Sequence, residues 1–206
     1  MIRPEDIRVV AWDFDGVLNR NVQNGVFAWS RSFAEDLGLS LDSFSRFLFQ
    51  GRFQKAMVGE ACLKELVTEW AGANGAVGRE GEILDYWFTS DALPDADVLA
   101  MLAQLRQRGI ANVMATNNEI HRTAFIESEM GFDRHMDRIF AAGRMRVAKP
   151  DTDYFRHLEQ ELGMPGAHML LVDDMAENVE AARSIGWQAF HFTEGAHDDL
   201  VAALGL

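Results

Sequence analysis

The chain has 206 residues, 48% of them hydrophobic and 25% charged, enough to bury one sizeable domain or a core domain with a modest insertion. Its formal net charge of −13, from 32 acidic against 19 basic side chains, disfavours nucleic acid and anionic membrane surfaces as partners. The one cysteine excludes an intrachain disulfide, no apolar run approaches the ~20 residues that span a bilayer, and no signal-peptide core is evident, so a cytoplasmic location is expected.

The first apolar run, residues 9–12, is short and bounded by polar residues, as a strand buried on both faces would be. It leads directly into Asp13-Phe14-Asp15-Gly16. Two carboxylates two residues apart at a strand end point the same way, and Gly16 permits a sharp turn. A helix cap and a turn aspartate are the ordinary alternative for such a pair. Asn19, Arg20 and Asn21 read as a polar linker, or else as a hinge or substrate contact. From residue 26 to 88 no strand is expected. Helices over 27–37 and 60–73, with three of the five tryptophans (Trp29, Trp70 and Trp87), indicate a helical insertion with its own core. Within it Cys62 is expected to be buried in a helix. Gln50-Gly51-Arg52-Phe53 is a polar break suited to reach toward a site, with a surface ion pair as the plainer reading of Arg52.

Beyond the insertion, helix and strand alternate. A helix over 95–108 precedes a strand over 111–115 that ends in Thr116-Asn117-Asn118, where a hydroxyl and backbone N–H groups can cradle an anion. A weaker strand covers 138–141 and is followed by Val147-Ala148-Lys149-Pro150-Asp151; the proline holds Lys149 at a corner, where an ammonium can neutralise phosphate. A helix over 153–162 leads to a strand over 168–172 that ends in Asp173-Asp174, with Asn178 a helical turn later. Adjacent acids there repel unless a cation lies between them, and Mg²⁺ fits such oxygen ligands. A helix over 177–185 and a strand over 188–192 complete an α/β, doubly wound parallel sheet, a Rossmann-like core. The core is expected over 1–19 and 91–206, with a small helical cap over 20–90 inserted after the first strand. His121 and His135 show no spacing that indicates zinc.

Each cluster has an ordinary explanation as a cap, a turn or surface charge. All four, however, fall at the carboxyl ends of candidate strands, where open α/β sheets bind ligands.

In this order and at these positions, Asp13-Phe14-Asp15-Gly16, Thr116-Asn117, Lys149-Pro150-Asp151 and Asp173-Asp174 resemble the four motifs of the haloacid dehalogenase superfamily of phosphohydrolases. The helical insertion resembles the cap of one subclass, and residues 170–186 are similar to its glucose-1-phosphatase-like sugar-phosphate phosphatases. The resemblance implies a Mg²⁺-dependent phosphomonoester hydrolase that forms an aspartyl phosphate. Asp13 would be the nucleophile and Asp15 the general acid and base. Thr116 and Asn117 would hold phosphate oxygens, and Lys149 would bind phosphate and orient Asp13. Asp13, the main-chain carbonyl of Asp15, and Asp174 would bind the metal, with Asp173 assisting directly or through water. The implied substrate is a small phosphorylated metabolite, a sugar phosphate foremost, and the implied assembly a monomer or homodimer. The alternatives are a haloacid dehalogenase, a phosphomutase and a non-catalytic interaction protein on this fold. A phosphoacceptor receiver domain fits less well, because it carries its paired acids near the first strand and has no insertion.

Overall fold

The computed structural model describes residues 2–206. β1 (Val9–Trp12) is buried at every position, as a central parallel strand must be. Past Asn19 the chain forms a hairpin of two-residue strands, β2 (Val22–Gln23) and β3 (Val26–Phe27), with Val22 opposite Phe27. Asn24 (φ 51°) and Gly25 (φ 72°) make its turn, both in the left-handed region that a tight hairpin turn requires. The hairpin stands where the sequence reading placed the start of a helix, and α1 (Phe33–Leu37) begins only six residues past β3's end.

Four more helices follow: α2 (Leu41–Phe49), α3 (Arg52–Met57), α4 (Leu63–Ala73) and α5 (Glu80–Ser90). They enclose a hydrophobic cluster built on Trp29, Phe33, Phe44, Leu48, Trp70 and Trp87, separate from the clusters that cover the sheet. Phe44 is its centre, with ring centroids 4.9 Å from Trp70 and 5.2 Å from Phe33. Cys62 lies just outside α4 as its N-terminal cap residue, half-buried, with Sγ 3.3 Å from His121 Nε2. Among the described residues, neither His121 nor His135 belongs to a group of three metal-binding side chains. Arg52 pairs with Glu69 at 2.8 Å on the surface.

The remaining elements alternate: α6 (Ala96–Gln107), β4 (Ala111–Thr116), α7 (Ile120–Ser128), β5 (Arg138–Ala141), α8 (Ala142–Met145), α9 (Thr152–Leu162), β6 (Met169–Asp173), α10 (Ala176–Ser184), β7 (Gln188–His191) and α11 (His197–Leu204). Aspartates start two of the helices. Asp95 accepts from the N–H groups of Asp97 and Val98, and Asp151 from that of Asp153. The sheet is parallel, in the order β5-β4-β1-β6-β7. The two-residue period of a strand sorts the core into two layers. Val10, Trp12, Met114, Leu170 and Val172 face α6 and α11, whereas Val9, Ala11, Val113, Ala115 and Leu171 face α9 and α10. No described helix is long and apolar enough to cross a membrane.

One buried polar contact ties the two strands that carry the first two motifs. Trp12 Nε1 donates to Asn112 Oδ1 at 2.9 Å, and the Asn112 amide in turn faces the carbonyls of Leu102 and Ile110. Asn112→Ala orphans the indole N–H in an apolar layer and is expected to destabilise the fold by about 1–3 kcal/mol. Urea unfolding of the variant tests this; an unchanged midpoint would show that the indole had found another partner.

Candidate active site

Pairing register brings distant carboxylates together. Trp12 lies level with Met114 on one side and Val172 on the other, and the Asp13 N–H donates to the Val172 carbonyl at 2.9 Å. Asp13 and Asp173 therefore emerge side by side at the carboxyl edge. After β1 the chain moves outward through β4 and β5, then returns to place β6 and β7 on the other side of β1. The crevice beside β1 and β6 is thus the point where connections diverge, the place where open α/β sheets bind ligands.

Asp13, Asp173 and Asp174 each offer a carboxylate oxygen within 4.8 Å of the others. The fully buried Lys149 ammonium lies 2.9 Å from Asp13 Oδ1 and 2.6 Å from Asp173 Oδ2. Three carboxylates and one ammonium leave two negative charges uncompensated. Burial first, and then that deficit, set the titration shifts. Burial raises the Asp13 pKa well above the ordinary carboxylate value; Lys149 pulls it down, and Asp173 and Asp174 add to the rise. Burial and the neighbouring Asp173 push Asp174 up to about 6. Burial works against the charge on Lys149, but Asp13 and Asp173 outweigh it and raise its pKa above the ordinary lysine value.

Asp173 faces Lys149 with one oxygen, while its other accepts from the Met175 N–H at 2.9 Å and from Asn178 at 2.8 Å. Gly16 has φ +82°, and a Cβ there would lie 2.4 Å from Asp174 Oδ2, so the first motif's turn and the fourth motif's acid meet only because residue 16 is glycine.

Asp15 sits beside this cluster with its own set of donors. Its Oδ1 accepts from Asn21 Nδ2 at 2.7 Å and from Arg122 Nη2 at 2.9 Å, and its Oδ2 from Asn118 Nδ2 at 3.1 Å. Arg122 also lies 3.4 Å from Asp91, whose oxygens accept from Asn21 and from the Trp29 N–H. Burial raises the Asp91 pKa against the pull of Arg122. Asn19 and Asn21 are fully buried rather than a solvated linker: Asn19 holds the Asp91 carbonyl and the Leu93 N–H. Sequence reasoning placed Asn118 in the anion cradle for its backbone N–H and not for the side-chain bond to Asp15, and it did not find Arg122 or Asp91, since no local spacing links Asp15 to Arg122 across 107 positions or to Asp91. Arg122 is 5% exposed, and its buried Nε and Nη1 make no hydrogen bond.

Thr116 reaches the same floor and accepts from Asn118 at 2.7 Å. Asn117 uses both ends of its amide on the Lys149 backbone, donating to the carbonyl at 2.8 Å and accepting from the N–H at 2.9 Å. Its side chain thus joins the second motif to the third. Above the floor lies a cavity of about 470 Å³, walled on the far side by residues of the helical insertion and β3.

The site's geometry can be set beside known proteins. Phosphatase MT3486 of Mycobacterium tuberculosis is 28% identical over 197 residues, covering 89% of this chain and 86% of its own. Sesquiterpene phosphatase astK of Aspergillus oryzae is 31% identical over 104 residues, 49% of this chain, and the matched region spans only 52% of that protein's length. Among solved structures, a haloacid dehalogenase family enzyme of Bacteroides thetaiotaomicron, in complex with magnesium and inorganic phosphate, superposes with a TM-score of 0.77 at 17% identity, covering 92% of this chain and 96% of its own. The sequence profile of the haloacid dehalogenase-like hydrolases matches residues 7–186, nearly the whole chain, and the chain belongs to that family.

Proposed function

We propose that the chain is a Mg²⁺-dependent phosphomonoester hydrolase that works through an aspartyl phosphate on Asp13. The observation that carries this reading is the meeting of Asp13, Asp173 and Asp174 around a buried Lys149. The phosphatases among its relatives support it.

The residues fit a divalent cation. Two uncompensated negative charges, clustered carboxylate oxygens and an acid held up to about 6 describe a site that gains from a hard, oxygen-seeking ion. Asp13 and Asp174 would hold it. When bound, Mg²⁺ supplies positive charge that offsets repulsion between a carboxylate nucleophile and a phosphate dianion. Asp173, with its oxygens turned to Lys149, Met175 and Asn178, is assigned to positioning Lys149.

In the first step a carboxylate oxygen of Asp13 attacks phosphorus, the bond from phosphorus to the ester oxygen breaks, and that oxygen takes a proton from Asp15. Lys149, the Thr116 hydroxyl and the Asn117 N–H receive charge on the equatorial oxygens, where phosphoryl transfer concentrates it. In the second step Asp15 removes a proton from water, which attacks the same phosphorus and releases inorganic phosphate and the Asp13 carboxylate. Asn21, Asn118 and Arg122 hold Asp15 in place for both steps. A dehalogenase has no need of a group in the Asp15 position, because a halide leaves without a proton.

Residues 20–90 are assigned the role of a cap over the site. Its two connections to the core run side by side, bridged by Asn19 with the Asp91 carbonyl and the Leu93 N–H, which is a suitable place for a hinge. The sugar phosphate expected from sequence gains little support, since the cap side of the cavity offers few polar partners.

Asp13→Asn is expected to abolish release of inorganic phosphate from p-nitrophenyl phosphate, and Asp15→Asn to lower kcat on butyl phosphate, whose alkoxide needs a proton to leave, by about 100-fold or more, the usual scale of acid–base catalysis. Retention of wild-type kcat by either variant would remove that residue from the mechanism. Chelation by EDTA is expected to stop turnover and excess Mg²⁺ to restore it; undiminished activity in EDTA would refute the metal. Ion binding requires ionised Asp174, so affinity should fall as pH drops through 6. Calorimetric titration of Mg²⁺ at pH 7.5 and pH 5 is expected to show roughly tenfold weaker binding at the lower value. Equal affinities would take Asp174 out of the site.

A further inference from the structure

The cavity above Asp13 changes character within the length of one side chain. Its floor carries Asp13, Asp15, Thr116 and Lys149, whereas its opposite wall is made by Phe27, Trp29, Phe49, Phe53, Met57 and Trp87. Phe53 and Met57 lie four residues apart on α3, so a single helical face presents both. The rings form a continuous surface: Trp29 lies 5.0 Å from Trp87, Phe49 5.2 Å from Phe53, and Phe53 6.0 Å from Trp87. Trp29 and Trp87 serve the buried core of the insertion and line the cavity as well.

Two apolar residues of the same cavity are left open to water. Phe27 is 41% exposed, and Met175, on the core side directly after Asp174, is 48% exposed. In a chain of net charge −13, solvent-exposed apolar side chains gathered at the mouth of a concave site are a binding surface rather than a random surface feature.

The polar inventory points the same way. On the insertion side of the cavity Asp91 is the polar side chain, and its carboxylate already accepts from the Trp29 N–H and Asn21 and faces Arg122; on the core side Asn117, Asn118, Arg122 and Asn178 also line the cavity and already bond the Lys149 backbone, Asp15 and Asp173. Sugar hydroxyls against this wall would give up water without gaining partners, while a hydrocarbon would gain by leaving water. Resting on the phosphatase reading, we infer that the substrates are monophosphate esters of apolar alcohols, with the aromatic wall as the subsite for the leaving group.

The test uses the full chain with Mg²⁺, measuring release of inorganic phosphate from p-nitrophenyl, butyl and octyl phosphate and from glucose 1-phosphate. The value of kcat/KM is expected to rise about tenfold or more from butyl to octyl phosphate, as burial of four further methylenes requires, and glucose 1-phosphate to do no better than the butyl ester. Phe53→Gln is expected to shrink the octyl-to-butyl ratio by about threefold or more. Because both esters are read in one preparation, partial loss of folded protein leaves that ratio unmoved. A flat chain-length profile, a preference for glucose 1-phosphate, or an unaltered ratio in Phe53→Gln overturns the apolar subsite while leaving the phosphatase reading intact. No release from any ester, p-nitrophenyl phosphate included, defeats both.

Discussion

Three acids crowded around one buried lysine are a liability for folding and an asset for chemistry. Lys149 is fully buried and touches two of them, so its charge is held in place by the same groups it stabilises. Removing either side would leave a buried charge alone, which costs several kcal/mol in a protein interior. The sheet makes the arrangement unavoidable. With Trp12 level with Val172, the first residues past β1 and at the end of β6 must be neighbours. A shift of either strand by one residue would turn Asp13 to the other face and break the cluster. The layers of Val, Leu, Met and Trp on both faces of the sheet therefore do more than stabilise the fold, since they hold the register on which the electrostatics rests.

Asp15 belongs to a second network that joins the two halves of the molecule. Arg122 comes from the core, Asn21 from the entry to the insertion and Asp91 from its exit, and all three meet at or beside the one carboxylate. Asp15 is therefore held partly by the entry to the insertion. Displacing the insertion from the core would take Asn21 away from Asp15 and leave Arg122 and Asn118, both of the core, as its donors. Under the acid–base role proposed for Asp15, that coupling would favour chemistry with the insertion seated on the core, where water is limited and electrostatic interactions are strong.

The sheet was legible in the sequence because each strand is a short apolar run, and three motifs lie directly at strand ends; the third does not, since α8 separates β5 from Lys149, which reaches the site from a loop eight residues past the strand. The helices over 96–107, 152–162 and 176–184 fall within a residue or two of their expected bounds, where N-cap aspartates or C-terminal glycines mark the ends. What escaped had weaker local signals. The β2–β3 hairpin carries Asn24-Gly25, a strong turn pair, yet its strands are two residues long and show no alternation to read. Cys62 was expected within a helix but stands at its cap, one residue before the apolar pattern begins. Asn117 sits in the right motif, but its amide serves the Lys149 backbone, a use that only the meeting of two loops reveals. Arg122 and Asp91 join the site through tertiary contacts alone.

The insertion shows most clearly why pattern reading reaches a limit. Its tryptophans were expected to be core, and all three are buried at 5% exposure or less. Burial and function are not alternatives here, because Trp29 and Trp87 present one side to the cluster around Phe44 and another to the cavity. Likewise the break at 50–53 was read for its polar members, whereas Arg52 is held at the surface by Glu69 and the aromatic neighbours Phe49 and Phe53 line the cavity. An acidic protein attracts no phosphate ester at long range. Under the proposed function, binding must then come from short-range interactions: Lys149 and a bound cation at the floor for the phosphate, and apolar contact at the wall for the alcohol. The two are independent in origin, one weakened by salt and the other not, so the division of the cavity into a charged floor and an aromatic wall lets the insertion change what is recognised without disturbing the chemistry beneath it.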